Sequence, residues 1–276
     1  MGKAMRLGIL GTVAVAGALA FAVGPAVAAP SGPPAYTCSG GDLATETFTS
    51  IPSGTYASIT VTGVCNVVPN AVINVVGNIN VAAGAVFDAQ SAPSTITVGH
   101  NVTAAAGSFL GLGCQPMNTI GMFAGVPCAN PYGDGHTTIT INGNVTATDA
   151  NTVLMRGAVA AGAGKLTVNG NVTLTGGSSE NPWSIKGNTI GRNLTISGVT
   201  AEFLGVQFNT IGGNVTLTNI TVNDVHPGAP GVAVVENTVA GNLNCTGLVP
   251  APTGGFIPGE VNHVGHKANG QCAALV

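Results

Sequence analysis

A four-residue unit, Gly-Asn-Val-Thr in its fullest form, returns along the chain and constrains the fold more than any other feature. Its asparagines are Asn78, Asn101, Asn144, Asn171, Asn193, Asn214 and Asn242. Successive asparagines are 23, 43, 27, 22, 21 and 28 positions apart. We interpret the interval of 43 as two turns with one copy missing or overwritten, so the underlying period is 21 to 23 residues. A repeat of this length predicts a solenoid in which each unit belongs to one coil.

The pattern within the unit favours β-strands over the other repeat architectures. Propeller blades and helical pairs need more than about 30 residues, hexapeptide solenoids need a strict six-residue beat, and the leucine-rich signature is absent. Val215 and Leu217 can face a core while Thr216 and Thr218 face solvent. Coils stacked about 4.8 Å apart would place four residues in one buried column: Val172, Leu194, Val215 and Leu243. The sequence therefore predicts an all-β, single-domain, right-handed parallel β-helix, and an antiparallel sandwich is the alternative.

The repeated asparagine has a structural explanation. Asparagine tolerates left-handed turn conformations, and stacked asparagine side chains can hydrogen-bond along the coils. We therefore expect an asparagine ladder, and we interpret the Asn-x-Thr sequons of the repeat unit as a by-product of this ladder and not as glycosylation sites.

The regions outside the repeat define the expected domain organisation. Residues 1–28 have the pattern of a cleaved signal peptide, with a basic start, an apolar stretch and Ala26-Val27-Ala28 before the cleavage site. A membrane anchor is the alternative, but no stop-transfer charges follow the apolar stretch. We expect a secreted protein, extracellular or associated with the cell wall, that has no membrane contact after cleavage. Its expected parts are a flexible lead (29–37), an N-terminal cap (38–65), the solenoid (66–249) with an inserted loop near 110–135, and a C-terminal clasp (250–276).

Six cysteines lie beyond the signal, an even number in an exported chain, which predicts disulfides. The outer two pairs would each span 27 positions at the ends of the repeat region, and the middle pair would span 14. Six cysteines allow fifteen connectivities, but their placement favours three local pairs: Cys38–Cys65, Cys114–Cys128 and Cys245–Cys272. A metal site is the rival interpretation, but the cysteines are dispersed and no C-x-x-C occurs, so we expect no bound metal at them.

Three stretches of the chain are distinctive beyond the bare repeat. They are the opening Cys38…Pro52-Ser53-Gly54-Thr55-Tyr56…Cys65, the I-G-G-N-[VL]-T units, and the ending Asn242-Leu243-Asn244-Cys245…Gly270-Gln271-Cys272. Together they resemble a broad group of secreted, largely uncharacterised β-helix repeat proteins of high-GC Gram-positive bacteria. The resemblance covers most of the chain after the signal. It implies a secreted β-helix, and it brings no established activity and no catalytic residues.

Threonine dominates the outward positions of the repeat. A T-x-T pair, with one serine variant, recurs on four coils and gives a candidate binding face: Thr146, Thr148, Thr173, Thr175, Thr195, Ser197, Thr216 and Thr218. On a flat face the hydroxyls would lie about 7 Å apart along a strand and about 4.8 Å apart between coils. Such an array can contact polysaccharide hydroxyls, and it is similar to the surface of β-solenoid ice-binding proteins. The alternative is that threonine is simply a good exposed strand former.

Three acidic residues carry the only catalytic hypothesis. Glu180, Glu202 and Asp224 are each 22 positions apart, so they fall at nearly the same phase of three successive coils. A carboxylate column can bind Ca²⁺, the one cofactor that we consider, or supply the acid and nucleophile of a glycosidase. Exposed acids are ordinary in a turn region, however, and no basic column accompanies them. We therefore expect no catalytic residues and keep a polysaccharide lyase or glycosidase as the alternative.

Composition limits the partners. After the signal the chain carries five basic against ten acidic residues, which gives no electrostatic footprint for nucleic acid. We expect an extracellular, non-enzymatic β-solenoid with a structural, adhesive or surface-coating role, acting through a face rich in Thr and Asn. Its expected partners are cell-wall or extracellular polysaccharide, or a second copy of the chain. A polysaccharide-active enzyme is the first alternative, and an ice-binding protein is the second.

Overall fold

The chain forms a parallel β-solenoid. A computed structural model describes residues 32–116, 127–129, 131–132, 135–158, 164–224, 231–255 and 261–276. All regular secondary structure in these ranges is β-strand, and the strands of successive coils pair in parallel. Each complete coil contributes a strand to each of three sheets, here called A, B and C in chain order. The predicted fold class is confirmed, and the expected signal peptide lies outside the described residues.

The strands of the three sheets have the following bounds. Sheet A contains β1 (Tyr36–Cys38), β4 (Ile59–Val61), β7 (Ile79–Val81), β10 (Val102–Ala104), β13 (Val145–Thr148), β16 (Val172–Thr175), β19 (Leu194–Ser197), β20 (Thr200–Ala201), β23 (Val215–Val222), β26 (Leu243–Val249) and β28 (Ala268–Gly270). Sheet B contains β2 (Thr49–Ile51), β5 (Val64–Val67), β8 (Val86–Ala89), β11 (Phe109–Leu112), β14 (Thr152–Arg156), β17 (Trp183–Lys186), β21 (Leu204–Gln207) and β24 (Val232–Val235). Sheet C contains β3 (Gly54–Tyr56), β6 (Ala71–Val75), β9 (Ser94–Val98), β12 (Thr137–Ile141), β15 (Lys165–Val168), β18 (Thr189–Ile190), β22 (Thr210–Ile211), β25 (Thr238–Val239) and β27 (His263–Val264).

The predicted buried column lies on the inner side of sheet A. Val172 pairs with Leu194, Leu194 with Val215, and Val215 with Leu243. All four side chains are buried. Complete burial of an aliphatic side chain contributes about 1.5–3 kcal/mol, so each added coil extends the core by the same kind of contact. The column is confirmed, together with the alternation that predicted it.

Sheet B differs from the other two sheets because four of its eight strands are buried on both faces. Every residue of β8, β17, β21 and β24 is buried. On the inner side Trp183 stacks on Leu204 of the next coil. Such two-sided burial suits near-continuous apolar runs such as Val232–Val235. The solvent-facing surface of the solenoid is therefore formed mainly by sheets A and C and by the corners of the coil.

Asparagine side chains stack at the corner between sheets C and A. The Oδ1 atom of Asn171 accepts the backbone N–H of Asn193 at 3.1 Å, and Oδ1 of Asn193 accepts that of Asn214 at 2.8 Å. The same bond links the other coils from Asn78 to Asn242. These are the asparagines of the repeat unit, so the expected ladder is confirmed.

A second ladder, which the repeat unit does not reveal, lies at the corner between sheets B and C. Asn188, Asn209, Asn237 and Asn262 are each only 1 or 2 % exposed. Nδ2 of Asn209 donates to Oδ1 of Asn237 at 2.9 Å and to the carbonyl oxygen of Ile185 at 2.7 Å. Its Oδ1 accepts the backbone N–H and the Nδ2 of Asn188, each at 3.0 Å. This buried ladder satisfies backbone groups that water cannot reach.

The backbone just before the buried ladder is in the left-handed region. Phe208 and Glu236, which precede two of its asparagines, have φ angles of 57° and 56°. For residues other than glycine this conformation costs roughly 1–2 kcal/mol, because Cβ approaches the following carbonyl. The buried hydrogen bonds of the ladder offset that cost and fix the corner.

The interval of 43 residues is a single coil, so our interpretation of two coils is wrong. Val102 pairs directly with Val145, which leaves no room for another coil between them. The additional length lies between the end of β11 at Leu112 and the start of β12 at Thr137. The described part of this insertion includes the disulfide between Cys114 and Cys128.

Both ends of the solenoid are built from coils. Strand β1 includes Tyr36 and Thr37, which we expected in the flexible lead, and it pairs with β4. Residues 38–65, expected as a cap, supply strands that continue the register of all three sheets. In the expected clasp, β27 and β28 extend sheets C and A. The described strands at both ends therefore continue the coil pattern, and the role of these segments as cap and clasp stays a prediction.

The cysteines pair as their placement predicts. The disulfides join Cys38 to Cys65, Cys114 to Cys128, and Cys245 to Cys272. The first and last of these each bridge two neighbouring coils. Closing such loops stabilises the fold by roughly 3 kcal/mol each, and the first and last disulfides place this stabilisation at the first and last coils of the described solenoid.

Candidate functional site

The predicted threonine face consists of two rows on the outer side of sheet A. The strand register brings the eight predicted residues together on four successive coils. The first row holds Thr146, Thr173, Thr195 and Thr216, and the second row holds Thr148, Thr175, Ser197 and Thr218. Thr103 extends the first row by one coil, and Thr246 extends the second. All these side chains are half-buried or exposed.

A further threonine row lies on the outer side of sheet C. Six threonines on six successive coils are paired neighbours: Thr97, Thr140, Thr167, Thr189, Thr210 and Thr238. Each is followed by Val or Ile, then by two residues and the repeat asparagine, as in Thr167-Val168-Asn169-Gly170-Asn171. The row is visible in the sequence once the repeat is aligned backwards from its asparagine as well as forwards.

The outer sides of sheets A and C, which carry these rows, are here called the threonine faces. Charged side chains are nearly absent from both of them. Within the described strands of sheets A and C, Lys165 is the one Asp, Glu, Lys or Arg residue. Asp88, Arg156 and Lys186, by contrast, all belong to strands of sheet B. The threonine faces therefore offer hydroxyl, methyl and amide groups, without the potential that would steer a charged partner.

The predicted acidic column is only partly assembled. An isolated parallel bridge joins Ser178 to Thr200. Two residues further along the chain, the same register places Glu180 beside Glu202 on the neighbouring coil. On the following coil the register places Asn223, and not Asp224, in this row. Glu180 is exposed and lines a cavity whose lining does not include Glu202. Binding of Ca²⁺ or catalysis at these carboxylates stays a prediction, and the described residues contain no group of three or more His, Cys, Asp or Glu placed to hold a metal.

Two cations lie side by side on the outer face of sheet B. Arg156 pairs with Lys186 of the next coil, and its Nη1 donates to Oε1 of Gln90 at 3.0 Å. The Nζ atom of Lys186 lies 5.7 Å from the centre of the Phe208 ring. Burial lowers the pKa of Arg156 to about 10, although Asp88 acts in the opposite direction. Burial, and secondly the charge of Arg156, lower the pKa of Lys186 to about 8.

This cation pair leads to a pH-dependent stability. We expect the free energy of unfolding of the parent to rise between about pH 8 and pH 10.5, relative to that of Lys186→Met. In this window the unfolded lysine, with its ordinary pKa of 10.5, binds more protons than the folded one, so stability increases with pH. The slope is at most about 1.4 kcal/mol per pH unit, and solvent screening reduces it.

Denaturant unfolding at several pH values measures this difference. The exposed Lys165→Met is the matched control, because it removes a lysine from a solvated position. Parallel pH curves for the parent and Lys186→Met would show that Lys186 has no lowered pKa.

Known proteins provide no assignment. No protein-family model matches this chain, and neither does a curated protein or a solved structure. Within the ranges that the structure describes, no helix is long and apolar enough to cross a membrane. The function has to be inferred from the surfaces themselves.

Proposed function

We propose that this chain is an extracellular, non-enzymatic contact protein that adheres to cell-wall or extracellular polysaccharide through its threonine faces. The observation that carries the proposal is the set of in-register rows of threonine, with one serine among them, on sheets A and C. Each hydroxyl can both donate and accept a hydrogen bond, as a sugar hydroxyl can. A single such bond contributes only about 0.5–1.5 kcal/mol, but a rigid row presents many of them at a fixed repeat to one polymer.

The extracellular part of the proposal rests on different observations. Three disulfides persist best in an oxidising compartment, and residues 1–28 have the pattern of a signal peptide. The resemblance to secreted β-helix repeat proteins of high-GC Gram-positive bacteria agrees with this location. A chain held together in this way would keep its surface shape outside the cell without a cofactor.

Removing hydroxyls from one row tests the proposal. We expect the fourfold variant Thr146→Val, Thr173→Val, Thr195→Val and Thr216→Val to bind insoluble polysaccharide about 30-fold more weakly. The loss of about 0.5 kcal/mol per hydroxyl gives about 2 kcal/mol in total, which corresponds to that ratio. Valine has nearly the shape of threonine and is a good strand former, so the fold should persist. Co-sedimentation with peptidoglycan, chitin and cellulose measures the binding.

The same four positions changed to serine provide the control, because serine keeps the hydroxyl. Unchanged binding by the valine variant, or no binding of the parent to any of the three polymers, would refute the proposal. Release of soluble sugar from a polymer by the parent would instead favour the enzyme. The two-row grid on sheet A favours ice as the second candidate, and inhibition of ice recrystallisation that Thr173→Tyr abolishes would identify it.

A further inference from the structure

Two cavities meet along the corner between sheets A and B. The first has a volume of about 480 Å³, and its lining includes Leu43, Phe48 and Phe109. The second has a volume of about 450 Å³ and a polar lining: Ser178, Ser179, Glu180, Thr200 and Asn223. Asn151 and Asn181 line both cavities, so the two form one groove with an apolar end and a polar end.

The groove runs along the solenoid axis. Gly84, Gly107, Asn151, Asn181 and Thr200 line it, and they belong to five successive coils. With coils about 4.8 Å apart, these residues span about 20 Å. A Cβ atom added to Gly84 would meet no atom within 4 Å, so the floor at this point is bare backbone open to the groove. A groove of this length and direction suits an extended linear ligand and not a compact one.

The apolar end presents two large side chains to solvent. Leu43 is 58 % exposed and Phe48 is 39 % exposed, although the chain is poor in aromatic residues. Leu43 lies in the small hairpin closed by the bridge between Asp42 and Thr47, and Phe48 follows that hairpin directly. Exposed apolar groups that border a concave surface are typical of a ligand site, where they pack against an apolar face.

The middle of the groove is rigid and amide-rich. The carbonyl oxygen of Asn151 accepts the indole N–H of Trp183 at 2.9 Å, and its Oδ1 accepts the hydroxyl of Thr152 at 2.9 Å. These bonds hold Asn151 in place without a ligand. The groove therefore has positioned polar groups next to apolar ones, a combination that binds sugar rings through their hydroxyls and their apolar faces.

The charges of the lining narrow the ligand class. The described lining of both cavities contains the carboxylates of Asp88 and Glu180 and no Lys or Arg. Asp88 is buried, and its Oδ1 accepts the backbone N–H of Gln90 at 2.9 Å. Glu180 is exposed and would repel an anionic chain. The lining thus favours an uncharged ligand over a uronic-acid polymer.

We propose that this groove binds a single chain of a neutral, linear polysaccharide. The choice of polysaccharide rests on the proposed function, but the site is separate from the threonine faces and would act on individual chains. The apolar faces of the sugar rings lie against Phe48 and Leu43, and the hydroxyls bond to the amides of Asn151 and Asn181. Glu180 lies at the polar end.

Soluble oligosaccharides test the groove, because each presents a single chain in solution without the surface of an insoluble polymer. The probes are cellohexaose, chitohexaose, laminarihexaose and maltohexaose, with hexagalacturonic acid as the charged comparison. Trp183, the one tryptophan of the chain, lies behind Asn151 and reports binding by its fluorescence, and calorimetry gives the dissociation constant. We expect at least one neutral hexaose to bind, and we expect hexagalacturonic acid to bind at least tenfold more weakly.

Two variants locate the binding. The double variant Leu43→Ala with Phe48→Ala should weaken the affinity about tenfold or more, and Asn181→Ala about fivefold. Val72→Ala is the matched control, since Val72 is 63 % exposed on sheet C and lies outside the lining of the groove. Thermal unfolding of each variant verifies the fold.

The outcomes separate this inference from the proposed function. Loss of hexaose binding in the groove variants, with full binding by the fourfold threonine-to-valine variant, supports the groove. If no neutral hexaose binds the parent, or if the groove variants bind as the parent does, the groove is not a saccharide site. In that case polymer binding that depends on the threonine rows would still support the proposed function.

Discussion

Replacing Asn209 by alanine should lower the free energy of unfolding by about 3 kcal/mol or more. The substitution leaves the carbonyl oxygen of Ile185, the Oδ1 of Asn237 and the backbone N–H and Nδ2 of Asn188 without their partner. Each buried polar group without a partner costs about 1–3 kcal/mol, and some of these groups keep another bond. Water cannot replace the amide, because the ladder is about 1 % exposed at Asn209.

Asn193→Ala provides the comparison for this effect. Asn193 makes the same kind of bonds in the ladder between sheets C and A, but it is exposed, so water can satisfy the groups that it leaves. We expect its cost to be about 1 kcal/mol or less. Denaturant unfolding curves of the parent and the two variants measure the difference. Equal destabilisation at the two positions would mean that burial does not control the strength of the ladders.

Replacing Trp183 by alanine should cost about 3–5 kcal/mol, the usual range for deleting a large buried aromatic side chain. Trp183 is completely buried and stacks on Leu204 of the next coil. Its deletion opens a cavity inside the solenoid, where the neighbouring coils are held by their own ladders and cannot close the space. It also removes the indole N–H that bonds to the carbonyl oxygen of Asn151.

Trp183→Phe separates the two contributions. Phenylalanine keeps most of the buried ring and loses the hydrogen bond, so we expect about 1–2 kcal/mol from the unpaired carbonyl and the smaller ring. Urea titration followed by circular dichroism measures both variants. A loss below about 1 kcal/mol for Trp183→Ala would show that the coils around it can relax into the cavity.

The buried column and the first asparagine ladder could be predicted because a single unit contains both. In that unit Asn214 forms the corner, Val215 and Leu217 the core, and Thr216 the outer face, so aligning the unit with itself aligns the coils. The threonine row of sheet C could also be predicted by aligning the repeat unit. Thr167 lies four residues before Asn171, and the spacing is kept on the other coils of the row.

Other features are harder to predict. Asn188, Asn209 and Asn237 each lie five residues before a repeat asparagine, so the same alignment finds them, but their sequence does not show that this corner is buried. The groove is harder still to predict, because it joins Phe48 of the first coil to Asn181 more than a hundred residues later. The interval of 43 residues misled for a physical reason, since the length of an insertion at a corner does not change the pairing on either side of it.

Because strand pairing does not depend on the length of the connecting segments, those segments can change during evolution. Neighbouring coils stay in register whether 20 residues separate them, as from Ile59 to Ile79, or 43, as from Val102 to Val145. Changes in the length of the connecting segments therefore leave the register of the threonine faces unchanged. Descendants of this chain could acquire, lose or exchange those segments, and with them new specificities, while the repeating surface is inherited intact.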